Sequence, residues 1–182
     1  MRKVIQVRLA GFGGQGIVLM GLILGEASAL DGWHVSGSHS YGAQARGSAC
    51  KSEVILSHDP IDFPHVIRAD VLAVLSQGAY EAYREDVGDS GLILFDETRV
   101  RPDEPCRVRH LGITASDYAL ERLGNGQAAN MVMLGALVGV TGVVSVDAVR
   151  KAIALHVGET FRAINLEAFA AGVELAGERA DA

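Results

Sequence analysis

Residues 10–22 read AGFGGQGIVLMGL, and four of the six residues from Gly11 to Gly16 are glycine. The run VIQVRLA (4–10) before them alternates and then turns apolar, as a strand entering a core does, and an apolar helix is predicted from Ile17 to Leu30. Strand, glycine loop and helix in that order outline an anion cradle. Glycines let the backbone turn tightly and approach a ligand, and the helix N-terminus offers unpaired N–H groups. Gly11-Phe12-Gly13-Gly14-Gln15-Gly16 also fits G-x-G-x-x-G. A dinucleotide site needs one thing more, an acid at the end of the second strand for the ribose hydroxyl. That strand is expected at Trp33–Gly37, and Ser36-Gly37-Ser38 holds no acid; Asp31 has roughly the right spacing but falls in the Asp31-Gly32 turn. A stand-alone nicotinamide-dependent oxidoreductase therefore rests on the glycine pattern alone. A tight strand–helix junction with no ligand is the third reading.

Outward from this stretch the chain alternates strands and helices. The helix from Ile17 is apolar almost all round, so more than one side should be covered. Gly21 and Gly25, four apart, leave one face open to close approach by another backbone. Residues 38–50 (SHSYGAQARGSAC) are polar and glycine-dotted and are expected to form a long functional loop. KSEVILS (51–57), ADVLAVLS (69–76) and GLILFD (91–96) are expected strands, with a helix near 78–87 and a weak edge strand at CRVRHL (106–111). Thr114, with Asp117 three on, resembles a capping arrangement. A buried helix is expected from Gln127 to about Gly139. Ser145 should cap a helix with Val146, Val149, Ile153 and Val157 inward, and residues 160–175 place Phe161, Ile164, Ala168, Ala171 and Leu175 on one stripe. The expected fold is a single α/β domain over residues 1–182: a Rossmann-like, doubly wound, mostly parallel sheet flanked by helices, with a helical C-terminal portion.

Composition bounds the function. With 49% hydrophobic and 21% charged residues the chain is globular rather than disordered. A net charge of −6 with no basic face argues against nucleic acid as a partner. Cys50 and Cys106 suit a reducing compartment and a cytoplasmic location, and with no CxxC pair this chain is not expected to hold an iron–sulfur cluster alone. MRK with ASA at 27–29 mimics a secretory signal, but the glycine loop interrupts the apolar run and Glu26 precedes the apparent cleavage site. Residues 125–146 carry no charge, yet Asn125, Gln127, Asn130 and the glycines favour a buried helix and its exit loop over a membrane span.

The candidate site residues are Gly11, Gly13, Gly14, Gln15 and Gly16 of the first loop, and Tyr41, Arg46 and Gly47 of the second. In a doubly wound fold both loops leave the same sheet edge. Arg46 is a planar fork suited to phosphate or carboxylate, and Tyr41 can stack and hydrogen-bond. A solvated loop with an incidental arginine is the competing reading. The six histidines show no metal spacing. Asp96, at a strand end, suits a cap as well as a catalytic acid, and Cys50 is read as a plain buried thiol. No paired carboxylates and no Ser–His–Asp order emerge, so a binding surface is expected without a catalytic set or a metal site.

GFGGQGIVLMGLILGEA, then SYGAQARGSACKSEVILS, then ADVLAVLSQGAY, then NMVMLGAL (130–137) occur in that order. As a set, from Ile5 to about Gly172, they closely resemble the gamma subunit of the 2-oxoacid:ferredoxin oxidoreductases, of the 2-oxoglutarate-type branch; the related indolepyruvate enzymes carry the same kind of domain. The resemblance implies an enzyme that converts a 2-oxoacid and coenzyme A to acyl-CoA and CO2 and passes electrons to ferredoxin. It implies thiamine diphosphate and Mg2+ on alpha and beta subunits, and iron–sulfur clusters on those or on a delta subunit. This chain would then be a non-catalytic hetero-oligomer component near the coenzyme A side; isolated, it can form a homodimer through the apolar surface its partners normally cover. The second loop departs from the family, which usually has RGG; here it is Arg46-Gly47-Ser48. Ser48 takes a strongly positive φ only at a cost.

Overall fold

The computed structural model describes residues 4–41, 49–103 and 105–180. β1 (Val4–Phe12) leads through the glycine loop into α1 (Ile17–Leu30), then β2 (His34–Tyr41), β3 (Ala49–Ser57) and β4 (Ala69–Val74). α2 (Gln77–Tyr83) and a 3₁₀ turn (Arg84–Asp86) precede β5 (Val87–Asp96) and β6 (Arg109–Ile113). Four helices close the described chain: α3 (Ala115–Glu121), α4 (Ala129–Thr141), α5 (Val146–His156) and α6 (Glu159–Ala180).

The six strands form one sheet in the order β2-β3-β1-β4-β5-β6. β4, β5 and β6 run parallel to β1, and β3 alone is reversed, antiparallel to both β1 and β2. The expected mostly parallel sheet is present with one reversed strand. Helices lie on both faces, unequally. α1 and α3–α6 share one apolar cluster with Val7, Leu9, Val54, Leu56, Val71, Ala73, Leu92 and Leu94. On the other face α2 packs Ala79 and Tyr80 over Ala10, Leu72, Val74 and Ile93.

Beyond α2 that second face carries a buried polar cluster beside a small apolar one of Ile55, Val66 and Ala69. Arg8 and Glu53 stand opposite each other across β1 and β3, both buried, with Arg8 Nε donating to Glu53 Oε1 at 2.8 Å. Lys51 Nζ reaches the same oxygen at 3.1 Å, and Arg8 also donates to Asp86 at 2.7 Å. Burial alone would push the Glu53 carboxyl up. The hydrogen bonds and charges of Lys51 and Arg8 outweigh it and hold the carboxyl below its ordinary value.

α4 is the centre of the helical layer: every residue from Ala129 to Val138 is buried. It meets α6 through glycines. A Cβ at Gly135 would overlap the Phe169 carbonyl, and one at Gly172 would overlap the Val132 carbonyl. The uncharged stretch 125–146 is thus a core helix and its exit, and no helix among the described residues is long and apolar enough to cross a membrane.

Several expectations shift. The ends of the expected loop at 38–50 are strand, since β2 extends to Tyr41 and β3 begins at Ala49, while residues 42–48 lie outside the described residues. Serine, glycine and histidine conceal the period of two, and the apolar β3 supplies the ladder that orders its polar neighbour. Phe161 is exposed; of the expected stripe Ala168 and Ala171 are buried, and Phe169, Gly172 and Ala176 are buried with them. Thr114 sits at the α3 N-cap but makes no side-chain cap bond; Asp96 accepts from Ser116 N at 3.4 Å and takes that role from the strand end. Ser145 caps α5 as expected, accepting from Ala148 N at 3.2 Å.

Candidate functional site

The glycine loop sits at the C-terminal edge of β1. Its shape is set by Gln15, whose amide is spent inside the protein. Oε1 accepts from Phe12 N at 2.6 Å and Nε2 donates to Leu75 O at 2.9 Å, so one side chain ties the ends of β1 and β4 together. Gly11 must be small because a Cβ there would overlap Gln15 Oε1. Gly14 and Gly16 both take positive φ, 97° and 72°. Gly16 serves as the α1 N-cap with no side-chain cap bond, so the first-turn N–H groups receive no cap from that position.

Asn130, buried in α4, closes the loop from behind. Its Nδ2 donates to Gly16 O at 3.4 Å, its Oδ1 accepts from Met131 N at 2.8 Å, and a Cβ at Gly16 would overlap its amide. Two motifs more than a hundred residues apart are therefore one structural unit. The close contact explains both glycine at 16 and a short amide at 130.

The second loop's strand ends lie at the same edge. Tyr41 pairs with Cys50, and Cys50 pairs with Gly11, while Ala49 pairs with Phe12. Arg46 and Gly47 lie outside the described residues. The register also bears on the dinucleotide reading. The strand beside β1 on that side is the antiparallel β3, with Ala49 and Cys50 at the edge, and β2 is one strand further out. A dinucleotide fold needs the acid-bearing strand next to β1.

Three cavities meet at Gly14. One of about 310 Å³ lies between the loop, Asn125, Gln127 and Asn130, and the α5–α6 corner at His156 and Asn165. A shallow apolar one of about 460 Å³ runs along Phe12, Val18, Leu19, Leu22 and Cys50. A small one of about 120 Å³ is bounded by Gln15, Arg99, Ser116 and Gln127. Cys50 is buried, and burial pushes its thiol up, as befits a core cysteine. Asp96 is fully buried at the end of β5 and accepts from Ser116 N, Ser116 Oγ and Thr98 N, so its work is to hold the α3 start and its own turn. Sequence reasoning named Asn130 only as part of a motif and did not weigh Arg99. A cation just beyond a strand's C-terminal end is the signal that points to it.

A family model described as pyruvate ferredoxin/flavodoxin oxidoreductase matches residues 6–175. The 2-oxoglutarate synthase subunit KorC of Methanocaldococcus jannaschii is 44% identical, covering 98% of this chain and 96% of that one. Among solved structures, a keto/oxoacid ferredoxin oxidoreductase gamma subunit from Geobacter sulfurreducens superposes with a TM-score of 0.84 at 37% identity, covering 96% of this chain and 99% of that one. The 2-oxoglutarate:ferredoxin oxidoreductase of Magnetococcus marinus, solved with 2-oxoglutarate, coenzyme A and succinyl-CoA bound, matches with a TM-score of 0.87 at 27% identity over 97% of this chain and 31% of its own. With the glycine loop, the Asn130 helix and the whole sheet accounted for, the chain belongs to the pyruvate ferredoxin/flavodoxin oxidoreductase family, as a gamma-type subunit of the 2-oxoacid:ferredoxin oxidoreductases.

Proposed function

We propose that this chain is the non-catalytic gamma subunit of a thiamine-dependent enzyme that takes a 2-oxoacid, coenzyme A and oxidised ferredoxin to acyl-CoA, CO2 and reduced ferredoxin. The observation that carries the reading is convergence. The glycine loop, the ends of the 41–49 hairpin and the Asn130 helix meet at one sheet edge. In the proposal, that edge faces the coenzyme A side of the assembled enzyme, with Gly11, Gly13, Gly14, Gln15 and Gly16 forming the backbone cradle. Gln15 acts through the loop it braces. Tyr41, Arg46 and Gly47 complete the surface.

Thiamine diphosphate and Mg2+ are assigned to alpha and beta partners, and the iron–sulfur clusters to those or a delta partner. Among the described residues no group of three or more His, Cys, Asp or Glu is placed to hold a metal. Cys50 lies inside β3 and Cys106 on the surface before β6. This donor set does not fit a cluster, and electron transfer is assigned to the partner subunits. The apolar strip at Phe12, Val18 and Leu22 beside the loop supports an assembly role.

Capture of thiamine-binding partners by a tagged chain from its own cells tests the reading, and failure to recover any would sink it. In the reconstituted enzyme, Arg46→Ala is expected to raise KM for coenzyme A about tenfold, the worth of one charge-assisted contact to phosphate. An unchanged KM removes Arg46 from the surface.

A further inference from the structure

β2 stands at one edge of the sheet and pairs only with β3. Its register against β3 is unbroken over all eight residues, His34–Tyr41, so no bulge twists the edge away. In an antiparallel ladder with one neighbour, alternate residues turn their N–H and C=O groups outward. Among the described residues, none of these backbone groups on β2 finds a hydrogen-bond partner beyond β3. α1 lies over one face of the strand, with Gly25 beside Val35, while His34, Gly37, His39 and Ser40 are exposed. An open edge is ordinarily guarded by lysine, proline, a bulge or brevity. β6, at the opposite edge, follows that rule: it has five residues and begins with the exposed Arg109. β2 is longer, and its sequence HVSGSHSY holds no Asp, Glu, Lys, Arg or Pro.

What fits such an edge is another extended strand, because its recognition groups are backbone donors and acceptors. We propose that β2 docks on β2 of a second copy of this chain, antiparallel across a two-fold axis, so that the two sheets become one. The strand is complementary to itself. Pairing about Gly37 sets Ser36 against Ser38, Val35 against His39 and His34 against Ser40. No like charges meet and neither histidine opposes the other, the arrangement that cross-strand pairing tolerates best. A two-fold axis perpendicular to the sheet keeps α1 of both copies on the same side and closes the contact at two chains. The contact is separate from the glycine loop and from the apolar strip of α1, and it uses backbone groups where that strip uses side chains.

The test is hydrogen exchange of the purified full chain, read amide by amide in dilute and in concentrated solution. Alternate amides of β2 should gain about tenfold or more in protection on concentration. A Cβ at Gly37 meets only the Glu53 carbonyl, at 3.9 Å, so the position accepts a side chain. Gly37→Lys places two lysines directly opposite each other and should abolish that gain. Gly37→Cys, in a Cys106→Ser background that removes the exposed thiol, should form a disulfide-linked dimer on oxidation, since residues opposed across an antiparallel pair stand about 4.5–5.5 Å apart at Cα. Parent exchange and the cysteine cross-link keep the test decisive if Gly37→Lys fails to fold. Exchange that ignores concentration overturns the proposal, as does equal protection in Gly37→Lys. Protection without the Gly37→Cys cross-link means another register or occupant, and protection that arises only when other subunits are added assigns the edge to them; each overturns the pairing proposed. Leu22→Glu charges the α1 strip alone, so β2 protection should survive it; its loss there assigns self-association to the strip and overturns the edge contact.

Discussion

Glu53 shows how a single residue can answer to pH. Its carboxyl is held below the ordinary value in the folded state by Lys51 and Arg8 against the opposing effect of burial. The folded state therefore binds its proton less readily than the unfolded chain. The stabilisation is complete above the unfolded value and is lost as pH falls through the folded one. The denaturant midpoint of the native chain should drop across that acid window. Glu53→Gln should lose that component and, at neutral pH, cost about 3 kcal/mol by leaving Arg8 short of its main partner. Parallel midpoint-versus-pH curves for the two proteins would refute the assignment. At this same scale the motif GGQG changes meaning. By pattern Gln15 belongs with ligand contacts; in the fold both polar ends of its side chain are bound internally, and what it delivers is the shape of the loop.

Among the elements, the α4–α6 pair is the tightest contact, and its glycines separate into two kinds. Gly172 faces the α4 backbone, where a methyl group has no room; Gly177, one and a half turns on, faces open space. Gly172→Ala should destabilise by about 1–3 kcal/mol through overpacking against rigid backbone. Gly177→Ala in the same helix should stabilise by about 0.5–1 kcal/mol, the ordinary gain from removing a helical glycine. Thermal unfolding of the two variants checks this, and shifts of the same sign would contradict the packing described. Element boundaries were legible where apolar period was strong, as in β3, β4 and α5. They were less legible in β2, where SHSY pairs only because β3 lies beside it. Thr114 and Phe161 followed local rules that tertiary contacts overrode: Asp96 reaches the α3 start from another strand, and the α6 stripe turns so that Phe169 rather than Phe161 enters the core.

For the whole molecule, the uneven helical cover is decisive. α1 is buried by the sheet and α5 on some sides, yet Phe12 and Leu22 remain 40% and 43% exposed beside the glycine loop. A strip of this kind in a family of multisubunit enzymes is expected to be covered in the assembly. Alone at tens of micromolar, the chain should self-associate through it. Leu22→Glu should move sedimentation toward the monomer, reduce capture of partner subunits, and leave the unfolding free energy within about 0.5 kcal/mol of the parent. A variant that sediments and captures partners like the parent would remove α1 from the interface.

The sequence alone determined the class of fold, the glycine turn after the first strand and the central apolar helix, because each rests on local periodicity or on residue types with one steric solution, and its ordered motifs carried the resemblance to the family. It could not show that Gln15 is spent on Leu75, that Asn130 backs Gly16, that β3 separates β2 from β1, or that Arg99 joins the glycine loop. Those pairings span tens of residues to more than a hundred. They exist only once the sheet has brought its strand ends to one edge, where burial and hydrogen bonding, not local pattern, select the partner.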